Sequence, residues 1–198
     1  MNRRNALRLM AATAGMFQLS GSAQNATGSK TMTTRKIPSS GELLPVIGMG
    51  TWQTFDVGPD AAVRAPLEQV LREFVALGGK LIDSSPMYGK SEEVAGDLIA
   101  KSGLRDKVYI ATKVWTSGKA AGIAQMEDSI RKLHARPIEL MQVHNLLDVE
   151  THLRTLADWK REGRVRYIGV THYTPSGYDA VAKVISAHTV DFLQINYS

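Results

Sequence analysis

Four side chains in this sequence have types and spacing suited to proton transfer: Asp83, Tyr88, Lys113 and His144. Asp83 sits in an apolar run over residues 80–84, and Lys113 falls near the end of the next such run, 108–114. If the two runs are adjacent parallel strands, about 4.8 Å apart, carboxylate and ammonium meet at their C-terminal ends. A charge buried there has to be paired. Tyr88 lies in the loop Ser84-Ser85-Pro86-Met87-Tyr88-Gly89, which can fold the phenol over the same spot. A phenol titrates near 10 unperturbed, and a neighbouring ammonium favours its ionised form. Tyr88 beside Lys113 is therefore expected to have a lowered pKa. It would be a proton donor usable near neutral pH, placed to protonate an oxyanion as hydride arrives. His144 ends a third run, 140–145, and could hydrogen-bond the same oxygen. Two plainer readings stand beside this one: a structural ion pair for Asp83 and Lys113, and a satisfied core histidine for His144.

Such a group needs a scaffold that delivers one residue per repeat. Asp83, Lys113, His144 and His172 recur 30, 31 and 28 residues apart, the length of a βα module. From residue 35 the chain alternates short β-branched runs (46–51, 80–84, 108–114, 140–145, 167–171, 192–196) with amphipathic stretches. The stretches at 67–77, 92–101, 122–133, 149–162 and 176–187 read as helices. Leu67, Val70, Leu71, Phe74 and Val75 form the inward stripe of the first, Ser91 is expected to cap the second, and Trp159 is expected in the core. Polar residues at every strand's C-terminal end favour a (β/α)8 TIM-type barrel over a doubly wound sheet, which would gather them at one switch point. Gly48-Met49-Gly50 does not continue into a GxGxxG fingerprint. Six of the eight βα units are visible, so the barrel is expected to be incomplete, a fragment of a longer chain. His134, His152 and His188 fall on or beside helices and read as solvent-facing. Trp52 and Trp115 either line an apolar pocket or simply pack.

The order of the motifs resembles the aldo/keto reductase family. Ile82-Asp83-Ser84-Ser85-Pro86-Met87-Tyr88-Gly89, Ala111-Thr112-Lys113 and Gln142-Val143-His144 match the family's Asp–Tyr–Lys–His tetrad. Gly48-Met49-Gly50-Thr51-Trp52, Ile168-Gly169-Val170-Thr171-His172-Tyr173 and Gln194-Ile195-Asn196-Tyr197 resemble three further family stretches, in order, across residues 36–198. The resemblance implies that Tyr88 is the general acid, Lys113 lowers its pKa, Asp83 holds Lys113, and His144 orients a small-molecule carbonyl. It implies that Thr171, His172 and Gln194 fix the nicotinamide carboxamide, and that Thr51 and Trp52 line the cofactor mouth. His172 stands where the family has Asn. NADPH is the implied cofactor, with NADH the alternative. The aromatic that stacks on the nicotinamide and the basic grip on the 2′-phosphate fall in the family beyond the stretch matched here.

Composition narrows the remaining classes. The net charge of +5 falls to +2 once Arg3, Arg4 and Arg8 are set aside, which gives no case for a nucleic-acid partner. The absence of cysteine excludes disulfides and Cys-ligated zinc. Residues 1–23 run from basic to apolar to small, and Asn2-Arg3-Arg4-Asn5-Ala6-Leu7-Arg8 resembles a twin-arginine signal, with Ala6 where Phe is usual. Their apolar stretch is shorter than the roughly 20 residues of a stable membrane anchor. Residues 1–34 are thus expected to be a signal and flexible lead-in, recognised by the twin-arginine export machinery, with the folded part exported to the periplasm. Two rival functions remain. A metal-dependent barrel hydrolase would want clustered His ligands near the first strand, where residues 48–52 offer none, so no metal is expected. A catalytically silent reductase-like binding protein, or inactive fragment, would keep the tetrad without hydride transfer.

Overall fold

The computed structural model describes residues 32–197. The export signal expected within residues 1–23 lies outside them. A two-stranded antiparallel hairpin comes first, β1 (Thr34–Lys36) with β2 (Leu43–Pro45). Six strands then form one parallel sheet whose spatial order follows the sequence: β3 (Met49–Gly50), β4 (Leu81–Asp83), β5 (Tyr109–Val114), β6 (Ile138–Val143), β7 (Val165–His172) and β8 (Phe192–Ile195). The helices between them are α1 (Ala61–Ala76), α2 (Ser91–Lys101), α3 (Lys119–Lys132), α4 (Val149–Arg161) and α5 (Tyr178–Ala187). This sequential parallel order is that of an incomplete (β/α)8 barrel, with β3 and β8 each paired on one side only among the described residues.

Strand periodicity divides the side chains into two layers. Ile82, Ile110, Met141 and Val170 face the helices, where they pack with Leu71, Val94, Met126, Leu153, Leu156 and Trp159 in the main core. On the opposite face Tyr109, Ala111, Leu140 and Tyr167 join Ile37 from the hairpin turn in a second cluster, with Leu81 and Phe192 against it. Tyr109, Tyr167 and Phe192 meet with ring centroids 5.7–6.3 Å apart. The hairpin thus covers the N-terminal end of the sheet's inner face. Arg166 pairs with Glu42 at 2.6 Å, and the Tyr167 hydroxyl lies 2.7 Å from Ser40 Oγ. Sequence reading missed this hairpin, because its strands are three residues long, β1 exposed throughout and β2 only partly buried, without the alternation that marks a buried strand.

Several local expectations need correction. The first barrel strand is only Met49–Gly50, shorter than 46–51. Val70 is exposed, and the α1 stripe that packs inward is Leu67, Leu71, Phe74 and Val75. That helix starts earlier than its apolar stripe because the Asp60 carboxylate accepts the Ala62 N–H. Ser91 does not cap α2; it is the helix's first residue, and its hydroxyl donates to the Thr51 carbonyl. His152 is fully buried, and its Nε2 lies 2.7 Å from the Thr116 carbonyl, against the solvent-facing position expected of it.

Helices α2 and α3 approach closely at Gly96. A Cβ there would overlap the Lys132 carbonyl oxygen and sit 2.8 Å from Leu133 Cα. Gly96→Ala raises helix propensity by about 1 kcal/mol, but backbone rather than a yielding side chain fills the space. The overlap should win, lowering unfolding free energy by roughly 1–3 kcal/mol in urea titration. An unchanged or raised midpoint would show that the two helices separate freely.

Candidate active site

The register of the sheet explains how Asp83 and Lys113 meet. Asp83 is level with Ala111, so Lys113 on β5 lies one inward-facing step further toward the strand ends. The flexible lysine stem lets the ammonium reach sideways to β4. Its Nζ lies 2.9 and 2.7 Å from the two Asp83 carboxylate oxygens and 2.7 Å from the Ser84 carbonyl oxygen. Those three acceptors match the three hydrogens of an ammonium. Lys113 is 1% exposed, and burial pushes its pKa down against the upward pull of Asp83.

Above this pair lies Tyr88, with Lys113 Nζ 5.1 Å from its ring centroid. The loop that carries it is braced from β3's side. The Asp56 carboxylate accepts the Lys90 N–H at 2.9 Å, and Gly89, at φ 59°, leaves that carboxylate its space. Phe55, 1% exposed, anchors the segment that carries Asp56. Trp52 faces Tyr88 at 6.4 Å between ring centroids. The expectation that the ammonium lowers the phenol is corrected: Tyr88 is pushed up to about 12, by burial first and then by the Asp83 charge. Lys113 has spent its hydrogens on Asp83 and Ser84, and the carboxylate beside it offsets its field. Tyr88 therefore keeps its proton throughout the neutral range.

His144 opens a short 3₁₀ turn, His144–Leu146, directly after β6. Asn145 and Leu146 both have left-handed backbones, at φ 52° and 57°, which bend the chain sharply at the strand end. The imidazole is buried, with Nδ1 2.7 Å from Thr171 Oγ1. Burial, then Lys113, then His172 depress its pKa to about 4, so it is neutral at neutral pH.

The residues expected around a cofactor divide into two groups. Gln194 and Trp52 are exposed and available to a ligand. Gln194 Oε1 accepts from Gln142 Nε2 at 3.1 Å, which leaves the Gln194 amide hydrogens free. His172 is half-buried and turned toward the following turn, where its Nδ1 accepts the Thr174 N–H at 3.3 Å. Thr51 and Thr171, by contrast, are buried. Thr51 Oγ1 lies 2.9 Å from Ser84 Oγ and 3.1 Å from the Asp83 carbonyl, stitching β3 to β4. Trp115 is 41% exposed, and its loop is tied down by Gln125, which bonds both its N–H and its carbonyl.

Two supporting groups escaped the sequence reading. Gln142, an inward residue of β6, positions Gln194; its place two residues before His144 was the available signal. Glu92 is buried behind Lys113, accepting from Thr112 Oγ1 at 2.5 Å and Ser129 Oγ at 3.0 Å, with its carboxyl raised by burial. It ties α2 and α3 to the outward face of β5. No sequence signal distinguishes it from an ordinary helix-surface glutamate. A separate groove of about 660 Å³ opens at the opposite ends of the strands, lined by Lys80, Lys107 and Arg136 among others, away from the tetrad. Among the described residues, no group of three or more His, Asp or Glu is placed to hold a metal ion.

Comparison with known proteins agrees with this fold. The model of the aldo/keto reductase family matches residues 46–198. An aldo-keto reductase of Mycobacterium sp. (strain JLS) is 35% identical over 145 residues, covering 69% of this chain and 49% of the relative. A methylglyoxal reductase of Escherichia coli (strain K12) is 33% identical, covering 71% of this chain and 50% of the relative. The crystal structure of an aldo/keto reductase from Klebsiella pneumoniae in complex with NADP and acetate superposes with a TM-score of 0.63 at 29% identity, over 78% of this chain and 54% of that one. The chain thus spans about half the length of the curated relatives it matches. With Asp83, Lys113 and Tyr88 together at the C-terminal ends of β4 and β5, His144 at the end of β6, and a family match over most of its length, the chain belongs to the aldo/keto reductase family.

Proposed function

We propose that the protein reduces the carbonyl group of small aldehydes or ketones using a nicotinamide cofactor, NADPH in preference to NADH. The observation that carries this reading is the stacking of three groups: Asp83 under Lys113, and Lys113 under Tyr88. Tyr88 holds the proton that the nascent alkoxide needs, at its phenol oxygen. Asp83 and Ser84 keep the ammonium in place beneath it, where its charge, partly offset by Asp83, lies under the phenol ring. His144, neutral, offers a ring N–H to the same carbonyl oxygen and limits the angles at which a substrate can sit. Trp52, with its ring centroid 6.4 Å from that of Tyr88, offers a small carbonyl compound an apolar surface beside the phenol.

The residues present fit a nicotinamide carboxamide. Gln194 has free amide hydrogens, and Gln142 Oε1 is buried without a partner beside it. His172, with Nδ1 committed to Thr174, has its second ring nitrogen available where the family carries Asn. When bound, the reduced cofactor supplies the hydride. NADP and NADPH in the Klebsiella pneumoniae structures support NADPH. The methylglyoxal reductases among the relatives support small aldehydes. The basic, apolar and small-residue order of residues 1–23 supports export to the periplasm through the twin-arginine machinery.

Tyr88→Phe should lower the rate of NADPH-dependent methylglyoxal reduction by about 10²- to 10⁴-fold while leaving cofactor binding, read by fluorescence, intact. Full activity in that variant would reject Tyr88 as the acid. The pH dependence has a definite sign. Because Tyr88 stays protonated to about 12, reduction should hold its rate into alkaline solution. Alcohol oxidation needs the phenolate as base and should climb steadily with pH. Two rate profiles with the same alkaline shape would contradict this. His144 should add a separate stability effect. Its folded pKa of about 4 lies below the ordinary 6.5, so its contribution is complete above about 6.5 and lost as pH falls towards 4. His144→Gln should flatten that acid-side loss in thermal melts; a slope identical to the parent's would remove His144 as its source.

A further inference from the structure

Thr171 has a hydroxyl hydrogen to place, and the structure offers it one destination. The side chain is 3% exposed. Its Oγ1 has two polar neighbours: the Asn145 backbone nitrogen at 3.2 Å and His144 Nδ1 at 2.7 Å. A backbone amide only donates. Of the two neighbours, only Nδ1 can therefore accept the hydroxyl's hydrogen. If Nδ1 carried a hydrogen instead, Oγ1 would accept twice and its own hydrogen would be buried without an acceptor, an arrangement that folded proteins avoid.

The backbone sets up this contact. Val143 is in register with Val170, so the chain leaving β6 passes alongside Thr171. The left-handed conformation of Asn145 then turns its N–H onto Oγ1. We infer that Thr171 is a positioning residue that fixes His144 as its Nε2–H tautomer, with the Asn145 amide directing the Thr171 hydroxyl onto Nδ1. The nitrogen left to face a substrate is then a donor, as a carbonyl oxygen requires. This assigns Thr171 to the imidazole and leaves the nicotinamide carboxamide to Gln194 and His172. The catalytic consequence rests on the reductase reading above; the tautomer itself does not.

Long-range ¹H–¹⁵N correlation spectra of ¹⁵N-labelled protein at neutral pH read the tautomer directly, with His144 assigned by the signal lost in His144→Gln. The expected result is an unprotonated Nδ1 and a protonated Nε2. Thr171→Ser keeps the hydroxyl and should keep this pattern. Thr171→Val should bring in Nδ1–H signal and lower kcat by at least about tenfold, the direction in which a mis-set catalytic histidine acts, with NADPH affinity unchanged. A parent protein with Nδ1–H overturns the inference. So does a Val variant that retains pure Nε2–H, or one whose tautomer is unchanged while NADPH affinity falls. If Thr171→Val does not fold, the parent and Ser spectra still decide. The spectra need no turnover, so an inactive protein with the Nε2–H pattern would refute the reductase reading and leave this one standing.

Discussion

The site depends on one interaction, the buried contact of the Lys113 ammonium with Asp83 and the Ser84 carbonyl. An ammonium that is 1% exposed is tolerable only because every hydrogen has an acceptor. Removing either charge would leave the other uncompensated in a water-poor interior, so the two positions cannot vary independently. The pair also organises its surroundings electrostatically. Lys113 helps to keep His144 neutral, while Asp83 helps Tyr88 to keep its proton. Burial is the larger cause in both cases, and the two members of one ion pair reinforce it.

Around it, the parallel sheet distributes work between its two faces. The side chains of β5 alternate strictly: Ile110, Thr112 and Val114 go to the helices, Tyr109, Ala111 and Lys113 to the inner face. Thr112 hands its hydroxyl to Glu92 on α2. The strand that presents the ammonium is thus held from behind by a polar contact as well as by packing. The hairpin contributes at the other end, where Ile37 and the Tyr109–Tyr167–Phe192 aromatics fill the floor with apolar mass.

Much of this was legible in the sequence because strand ends have a fixed spacing. The near-30-residue recurrence of Asp83, Lys113, His144 and His172 encodes the βα repeat, and the repeat implies which end of each strand carries chemistry. What stayed hidden depends on distance across the fold. Burial of His152 reflects its contact with the Thr116 carbonyl and a glycine, Gly122, that leaves room for the ring; neither appears in the periodicity of α4. The direction of the Tyr88 shift likewise could not be read from the presence of a lysine. It turns first on how deeply the fold buries the phenol and then on the Asp83 charge beside it. Thr171 was visible as a motif residue, but its partner depends on the register of β6 against β7.

The brace between Asp56 and the loop of Tyr88 has a thermodynamic meaning. Loops that close over ligands surrender conformational freedom on binding, and that loss is subtracted from affinity. Here the Lys90 N–H is already bound to a carboxylate, and Phe55 anchors the segment supplying it. The entropy of ordering Tyr88 is spent during folding, ahead of any encounter. A ligand arriving at Tyr88 meets a phenol already aimed, so its binding does not have to order this loop.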